Sequence, residues 1–223
     1  MTDSRITLFA GHYGSGKTNI AVSYALDLRK RHERVAIADL DIVNPYFRTK
    51  DGERELAAAG VTIISSAFAN TNVEAPALPS DAVRVFDDQT LYSVIDVGGD
   101  DRGAFAVGRY ADKLAAEESA SILFVLNRYR PLTADAESAM KVLREIELAA
   151  HFKFTGLVNN SNLGVQTTEE TVLSSLAYAE AVSACSGLPV VFTSVRSDLC
   201  GRLSGRVDNI FPIHIMQKEG WRM

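Results

Sequence analysis

The sequence has little cysteine and little histidine, the two residues that most often build zinc sites. Of its 223 residues only two are cysteines, Cys185 and Cys200, and four are histidines. The cysteines stand far apart, in no C-x-x-C pair and beside no paired histidines. This spacing argues against a zinc site and against a disulfide framework. We therefore expect two small, partly buried thiols in a reducing compartment.

Signals for membranes and for nucleic acid are also lacking. No apolar run has the length of a membrane span, and the apolar core near the N-terminus is too short for a signal peptide. Lysine and arginine number 23 against 28 acidic residues, a net charge of −5, whereas nucleic acid favours basic faces. The tail 205–223 contains Pro212, which interrupts any amphipathic membrane-binding helix. We expect a cytoplasmic chain whose tail is packed or faces a partner.

Short apolar runs alternate with helical patterns along the whole chain. The runs are residues 6–10, 34–40, 61–65, 91–97, 121–127, 152–158 and 188–195. They are continuous rather than alternating, as in strands buried on both faces. Helical patterns cover 17–31, 133–150 and 168–184, and the second has Thr133 as N-cap and Leu148 among its inward-facing residues. This predicts one α/β domain over 1–223, with a mostly parallel sheet covered on both faces and a loop at 66–82.

The first strand runs into a phosphate-binding motif. Residues 11–18, GHYGSGKT, fit G-x-x-x-x-G-K-[ST] between a strand and a helix that begins at about Gly16. In such a loop, backbone N–H groups turn inward around phosphate oxygens and the helix dipole adds to the attraction. Lys17 is expected to reach the β- and γ-phosphates and Thr18 to bind Mg²⁺. The predicted nucleotide-binding residues are Gly11, Gly14, Ser15, Gly16, Lys17, Thr18 and Asn19.

Two further strands end in aspartates. Asp39 lies at the end of the second apolar run and Asp41 directly after it, and Asp96 lies at the end of the fourth run, just before Gly98-Gly99. Mg²⁺ keeps several waters and takes few protein carboxylates, so we expect Thr18, Asp41 and Asp96 to hold the metal. Asp41, preferred over Asp39 because Asp39 lies nearer the sheet, is also the candidate to orient the attacking water.

These motifs together resemble one family. The phosphate loop, DLDIVNP (39–45), VIDVGGDD (94–101) and FVLNRYRPLTADAESAMKVL (124–143) are similar to the MinD/ParA/CobQ-CobB group of SIMIBI-class P-loop NTPases. The resemblance covers nearly the whole chain. It implies a three-layer P-loop fold, ATP binding, slow Mg²⁺-dependent hydrolysis and often a dimer that closes on two nucleotides.

The chain departs from that group inside the phosphate loop. The group's K-G-G-x-G-K-[ST] begins with a lysine that reaches the partner's nucleotide, and here His12 and Tyr13 occupy the lysine and the next glycine. A homodimer of this chain is therefore expected to use no trans lysine, with Tyr13 shielding the phosphates or packing on the first switch loop. Arg102 is the preferred cation for the γ-phosphate, or else pairs with a neighbouring aspartate. Arg128 and Arg130 rank lower.

The base is expected to be adenine. The loop also resembles G-x-x-G-S-G-K-T of the metal-insertion GTPases, in which N-K-x-D reads guanine through its aspartate. The corresponding segment here, LVNNSNLG (157–164), has asparagines and no aspartate. Asn160 matches the asparagine of G-x-x-x-N in the ATP-using group and is expected to contact adenine, with Asn159 as the alternative.

The resulting hypothesis is an Mg²⁺-dependent ATPase that acts as a switch. Nucleotide state would move the loops 41–50 and 97–110 and signal to a protein partner. Tyr46, Phe47 and Arg48 either form part of that interface or pack the first loop down. The alternatives are an ATP-dependent kinase or ligase of the dethiobiotin-synthetase type, a metal-insertion GTPase, and a binding module that uses ATP as a structural ligand.

Overall fold

A computed structural model describes residues 3–40, 52–65, 83–99 and 101–214, with only the backbone described at 65, 101 and 102. The described residues form an eight-stranded sheet in the order β3-β2-β4-β1-β5-β6-β7-β8. The strands are β1 (Ile6–Ala10), β2 (Val35–Leu40), β3 (Thr62–Ser65), β4 (Tyr92–Val97), β5 (Ala120–Leu126), β6 (Gly156–Asn159), β7 (Val190–Arg196) and β8 (Ile210–Ile213). Every neighbouring pair is parallel, so the carboxyl ends of all strands lie along one edge.

Helices cover both faces of the sheet. They are α1 (Lys17–Arg29), α2 (Glu53–Ala58), α3 (Arg84–Asp87), α4 (Asp101–Gly108), α5 (Ala111–Ala116), α6 (Ala136–Ala150), α7 (Glu169–Leu173), α8 (Leu176–Ser186) and α9 (Cys200–Leu203). Side chains of β2 alternate between two cores: Ala36 and Ala38 pack with α4, α6 and α8, while Val35 and Ile37 pack with α1 and α2. The predicted three-layer α/β architecture is confirmed.

The strand at the edge of the sheet, β8, was not predicted. It pairs with β7 through residues 210–213 and contains Pro212, which is exposed. A proline lacks the N–H that a central strand must donate, but an edge strand tolerates that loss. The first part of the tail is therefore packed, as expected, and residues 215–223 lie outside the described part.

The helix predicted at 133–150 begins later than expected. Its N-cap is Asp135, whose side chain accepts a hydrogen bond from the Ser138 N–H. Thr133 was the wrong choice because its hydroxyl donates to the Asn127 carbonyl, 2.7 Å away, within the 3₁₀ turn Pro131–Thr133. Leu148 was expected to face inward, but its side chain is 78% exposed.

Two other expectations change. The strand expected over 152–158 is shorter, because Phe152 and Phe154 enter the core as irregular chain before β6 begins at Gly156. Cys185 is exposed rather than partly buried, while Cys200 is intermediate. Over the ranges described, no helix combines the length and the apolar character needed to cross a membrane.

Candidate nucleotide-binding site

The phosphate loop leaves the carboxyl end of β1, in the middle of the sheet. β1 lies between β4 and β5, and its Phe9 pairs in register with Asp96 of β4. Loops after parallel strands meet at this edge, where ligands of open α/β sheets bind. The topology therefore gathers the phosphate loop and the segments after β4, β5 and β6.

Two glycines of the phosphate loop adopt backbone conformations that are strained for other residues. Gly14 and Gly16 have φ of 76° and 88°, in the left-handed region that L side chains rarely adopt. Between them, the Ser15 N–H donates to the His12 carbonyl at 3.1 Å and closes a turn. Gly16 is the N-cap of α1 and provides no side-chain cap, so the first amides of α1 face the loop. A helix start of this kind binds anions.

Lys17 folds back over the loop. Its side chain is 7% exposed, and its ammonium donates to the His12 carbonyl at 3.2 Å. The loop after β4 lies equally close, since a Cβ on Gly99 would stand 2.6 Å from the Tyr13 nitrogen and 2.9 Å from Lys17 Nζ. The segment after β4 thus touches the phosphate loop at Gly99, a position that cannot carry a side chain unless its neighbours move.

A hydroxyl and a carboxylate meet beside this loop. Thr18 Oγ1 donates to Asp96 Oδ2 at 2.6 Å, and Asp96 is 2% exposed. Asp39, also buried, pairs in register with Asp96 across β2 and β4. Hydroxyl and carboxylate oxygens are the hard ligands that Mg²⁺ prefers, so these residues fit a magnesium ion. The buried Ser15 hydroxyl, with no hydrogen-bond partner among the described residues, adds a polar atom inside the loop.

Several predicted residues lie where the structure says nothing of their side chains. Asp41 and the first switch loop, with Tyr46, Phe47 and Arg48, fall outside the described residues, and so does the loop 66–82. Arg102 belongs to α4, but only its backbone is described. The roles assigned to Asp41 and Arg102 therefore stay predictions.

Asn160 lies against the phosphate loop. Its side-chain amide donates to the Ser15 carbonyl at 2.5 Å, and its side-chain oxygen accepts from the Ser194 hydroxyl. Asn159, the alternative, is fully buried and donates to Ser175 Oγ at 2.9 Å. Both side chains are already engaged within the protein, and the adenine contact expected of Asn160 stays a prediction.

Sequence reasoning undervalued one contact to this loop, from Arg130, and missed the contact that Ser194 makes to Asn160. The Arg130 guanidinium donates through Nε to the Gly14 carbonyl at 2.8 Å, although Arg130 ranked below Arg102. Arg128 turns away and donates to the Ser174 carbonyl. Ser194 carried no motif at all. The signal for Arg130 was its place directly after β5, the strand beside β1, whereas Ser194 could be found only by knowing that β7 neighbours β6.

The two unusual loop residues face different surroundings. His12 Nδ1 lies 2.9 Å from the Tyr13 carbonyl within the same loop, and the Tyr13 side chain is 48% exposed. Tyr13 is therefore a half-exposed residue of the phosphate loop, and its role as a shield for the phosphates stays a prediction. Its packing on the first switch loop lies outside the described residues.

Comparison with solved structures supports the fold. No protein-family profile and no curated protein sequence matches the chain. The cell division protein FtsY of Thermotoga maritima is similar with a TM-score of 0.56 and 19% identity, over 85% of this chain and 61% of that one. FtsY of Mycoplasma mycoides gives 0.58 and 18%, over 87% and 62%. The signal recognition particle 54 kDa protein of Aeropyrum pernix K1, solved in complex with GDP, gives 0.56 and 16%, over 86% and 41%.

The chain spans about three fifths of the two FtsY chains, 61% and 62%. At these identities the likeness establishes the fold: the chain has the α/β P-loop NTPase fold that FtsY and the 54 kDa protein share.

Proposed function

We propose that this protein binds Mg²⁺–ATP, hydrolyses it slowly and acts as a nucleotide-dependent switch for a protein partner. The observation that carries the proposal is the Thr18–Asp96 hydrogen bond of 2.6 Å beside the glycine-rich phosphate loop. It joins residues 78 positions apart in the sequence, each at the place where a P-loop site needs an oxygen ligand.

The roles of the described residues follow from their chemistry. The amides around Gly14 and Gly16 bind phosphate oxygens, and the Lys17 ammonium exchanges the His12 carbonyl for the β- and γ-phosphates. Mg²⁺, held by Thr18 and by Asp96 directly or through a water, would neutralise phosphate charge. Asp41 remains the proposed residue for the attacking water and Arg102 the proposed cation for the γ-phosphate.

The switch function is supported by the contact between the second loop and the phosphate loop. Gly99 lies against the Tyr13 backbone, and α4 begins two residues later at Asp101. A phosphate that displaced the Tyr13 backbone would press on Gly99 and so act on the start of α4. This helix also carries Phe105, whose side chain is 67% exposed. Exposed aromatics are enriched at interfaces, so α4 is the described element best suited to signal to a partner.

A cytoplasmic MinD-like ATPase is the form of this proposal that agrees best with the sequence. A homodimer, if it forms, does so without a trans lysine, because His12 replaces that residue and its Nδ1 contacts its own loop. Neither nucleic acid nor a membrane is part of the proposal, and the client process is left to experiment.

Guanine is the second candidate for the base, because the 54 kDa protein and an FtsY of Elizabethkingia anophelis were solved with GDP. Adenine is favoured by the chemistry after β6. The aspartate that ends N-K-x-D accepts hydrogen bonds from guanine. In this chain the four residues 159–162, NNSN, end in Asn162 instead. Its oxygen accepts from the Gly164 N–H at 3.0 Å and its amide donates to the Asn160 carbonyl at 2.8 Å. Asn162 lacks the second carboxylate oxygen with which an aspartate accepts from guanine, and both ends of its amide are engaged within this loop.

The test is competition between ATP and GTP for the purified protein in Mg²⁺, with Asn162→Asp as the informative variant. The wild type is expected to bind ATP more tightly than GTP, and Asn162→Asp to shift the preference toward GTP. Lys30→Ala, at the exposed far end of α1, serves as the control and should leave both affinities unchanged. Tighter binding of GTP by the wild type would overturn the adenine assignment while leaving the phosphate site intact.

A further inference from the structure

We propose that Asn160 is a positioning residue for the phosphates, in place of the contact with adenine that its sequence motif predicts. Its amide holds the Ser15 carbonyl outward, so that the next amide, that of Gly16, faces the bound phosphate. Ser194 holds Asn160 in place, and Arg130 holds the preceding carbonyl, that of Gly14. This inference rests on the proposed nucleotide function and deepens it.

The argument begins with the peptide plane between Ser15 and Gly16. In a trans peptide the carbonyl of one residue and the N–H of the next point in opposite directions. Asn160 Nδ2 donates to the Ser15 carbonyl at 2.5 Å, which fixes that plane. The Gly16 N–H is therefore directed away from Asn160 and into the loop, where a phosphate would be bound.

The Asn160 side chain has no freedom to turn toward a base. It is 1% exposed, and a Cβ on Gly16 would stand 2.3 Å from its Nδ2. Because a carbonyl oxygen only accepts, the end that faces Ser15 must be the amide nitrogen. The other end accepts from the Ser194 hydroxyl, itself buried. Turning the amide away would break both hydrogen bonds and would remove the Asn160 donor from the Ser15 carbonyl, which is costly in a buried setting.

The Arg130 side chain fixes the neighbouring carbonyl, that of Gly14, by a hydrogen bond of the same kind. Arg130 Nε donates to the Gly14 carbonyl at 2.8 Å, and the three atoms nearest to a Cβ on Gly14 all belong to Arg130. Fixing the Gly14 carbonyl also fixes the Ser15 N–H, which closes the turn onto the His12 carbonyl. Asn160 from β6 and Arg130 from the loop after β5 thus hold two consecutive carbonyls, and the loop keeps its shape before any ligand arrives.

The test separates a phosphate role from a base role by using a ligand without a base. Binding of inorganic tripolyphosphate, ATP and GTP, each with Mg²⁺, is measured by calorimetry for the wild type, Asn160→Ala and Ser194→Ala. Asn160→Ala is expected to weaken all three by the same factor, about tenfold, as the loss of one hydrogen bond predicts. Ser194→Ala, which keeps Asn160 but removes its orienting donor, should give a smaller loss with the same equality among ligands.

Arg128→Ala is the matched control, because Arg128 lies two residues from Arg130 and its guanidinium contacts Ser174 instead of the loop. It should leave all three affinities unchanged. Thermal unfolding of each variant checks folding, and Ser194→Ala carries the test if Asn160→Ala does not fold.

The inference is overturned if Asn160→Ala weakens ATP but not tripolyphosphate, if it changes the ratio of ATP to GTP affinity, or if it changes nothing. A wild type that binds neither tripolyphosphate nor nucleotide would refute the proposed function itself. Normal wild-type binding with an unaffected Asn160→Ala would refute only the positioning role.

Discussion

At Thr18, one hydroxyl donates to Asp96, whose carboxylate is buried at the end of β4. In the proposed function the same two oxygens would hold Mg²⁺, directly or through a water. The pairing has a geometric cause, since β1 and β4 are neighbours and Phe9 stands opposite Asp96.

Replacing Thr18 should therefore reduce the gain in ATP affinity that Mg²⁺ provides more than it reduces the affinity for ATP without metal. In Thr18→Ala we expect Mg²⁺ to improve ATP affinity at least tenfold less than it does in the wild type, because one oxygen ligand is gone. Thr18→Ser keeps the hydroxyl and should retain most of the effect. The measurement is ATP affinity with Mg²⁺ and with EDTA. A Thr18→Ala variant with an undiminished Mg²⁺ effect would show that the metal is held elsewhere.

The positions of the phosphate-loop residues could be predicted from the sequence, because the motif is local and specifies a known loop conformation. Gly14, Gly16, Lys17 and Thr18 are close in sequence, and their positions in the loop follow from a single pattern. The partner of Asn160 could not be predicted. Its contact to Ser15 spans 145 positions and depends on the order of strands in the sheet, which no local pattern records.

Among the elements, α6 illustrates how a helix start is decided by competing hydrogen bonds. Both Thr133 and Asp135 are N-cap residue types, and the sequence favoured Thr133. The Thr133 hydroxyl is engaged by the Asn127 carbonyl in a 3₁₀ turn, which leaves Asp135 to cap the helix. The hydrogen bond from the Ser138 N–H lowers the pKa of the Asp135 carboxyl below its ordinary value of 3.8.

Asp135→Ala should lower the stability of the folded chain at neutral pH, because α6 loses its cap. A carboxyl with a lowered pKa stabilises the fold above its unfolded value of 3.8, and that contribution is lost as the pH falls through the folded pKa. The difference in urea midpoint between the wild type and Asp135→Ala should therefore shrink as the pH is lowered below about 4.

Asp135→Asn is the matched control for the cap. It keeps a side-chain acceptor that does not titrate, so its stability relative to Asp135→Ala should not follow this pH dependence. A gap between the wild type and Asp135→Ala that stays constant down to pH 2 would contradict the assigned cap.

On the scale of the whole molecule, the order of strands brings the distant motifs together. The seven predicted strands are all present, because continuous apolar runs identify strands buried between two helical layers. β8 was missed because Pro212 reads as a strand breaker and its tolerance depends on an edge position. Gathering the segments after β1, β4, β5 and β6 at one edge follows from the parallel sheet. The sequence does not show which side chains of these segments contact one another at that edge.

The most direct test of the central claim is the rate of phosphate release from Mg²⁺–ATP by the purified chain, compared with Lys17→Ala. Lys17, whose ammonium lies on the His12 carbonyl of the loop, is the residue proposed to reach the phosphates, and its replacement should not affect the sheet. We predict slow, Mg²⁺-dependent release by the wild type and its loss in Lys17→Ala. Equal release by both proteins would contradict the proposal that this loop is a site of ATP hydrolysis.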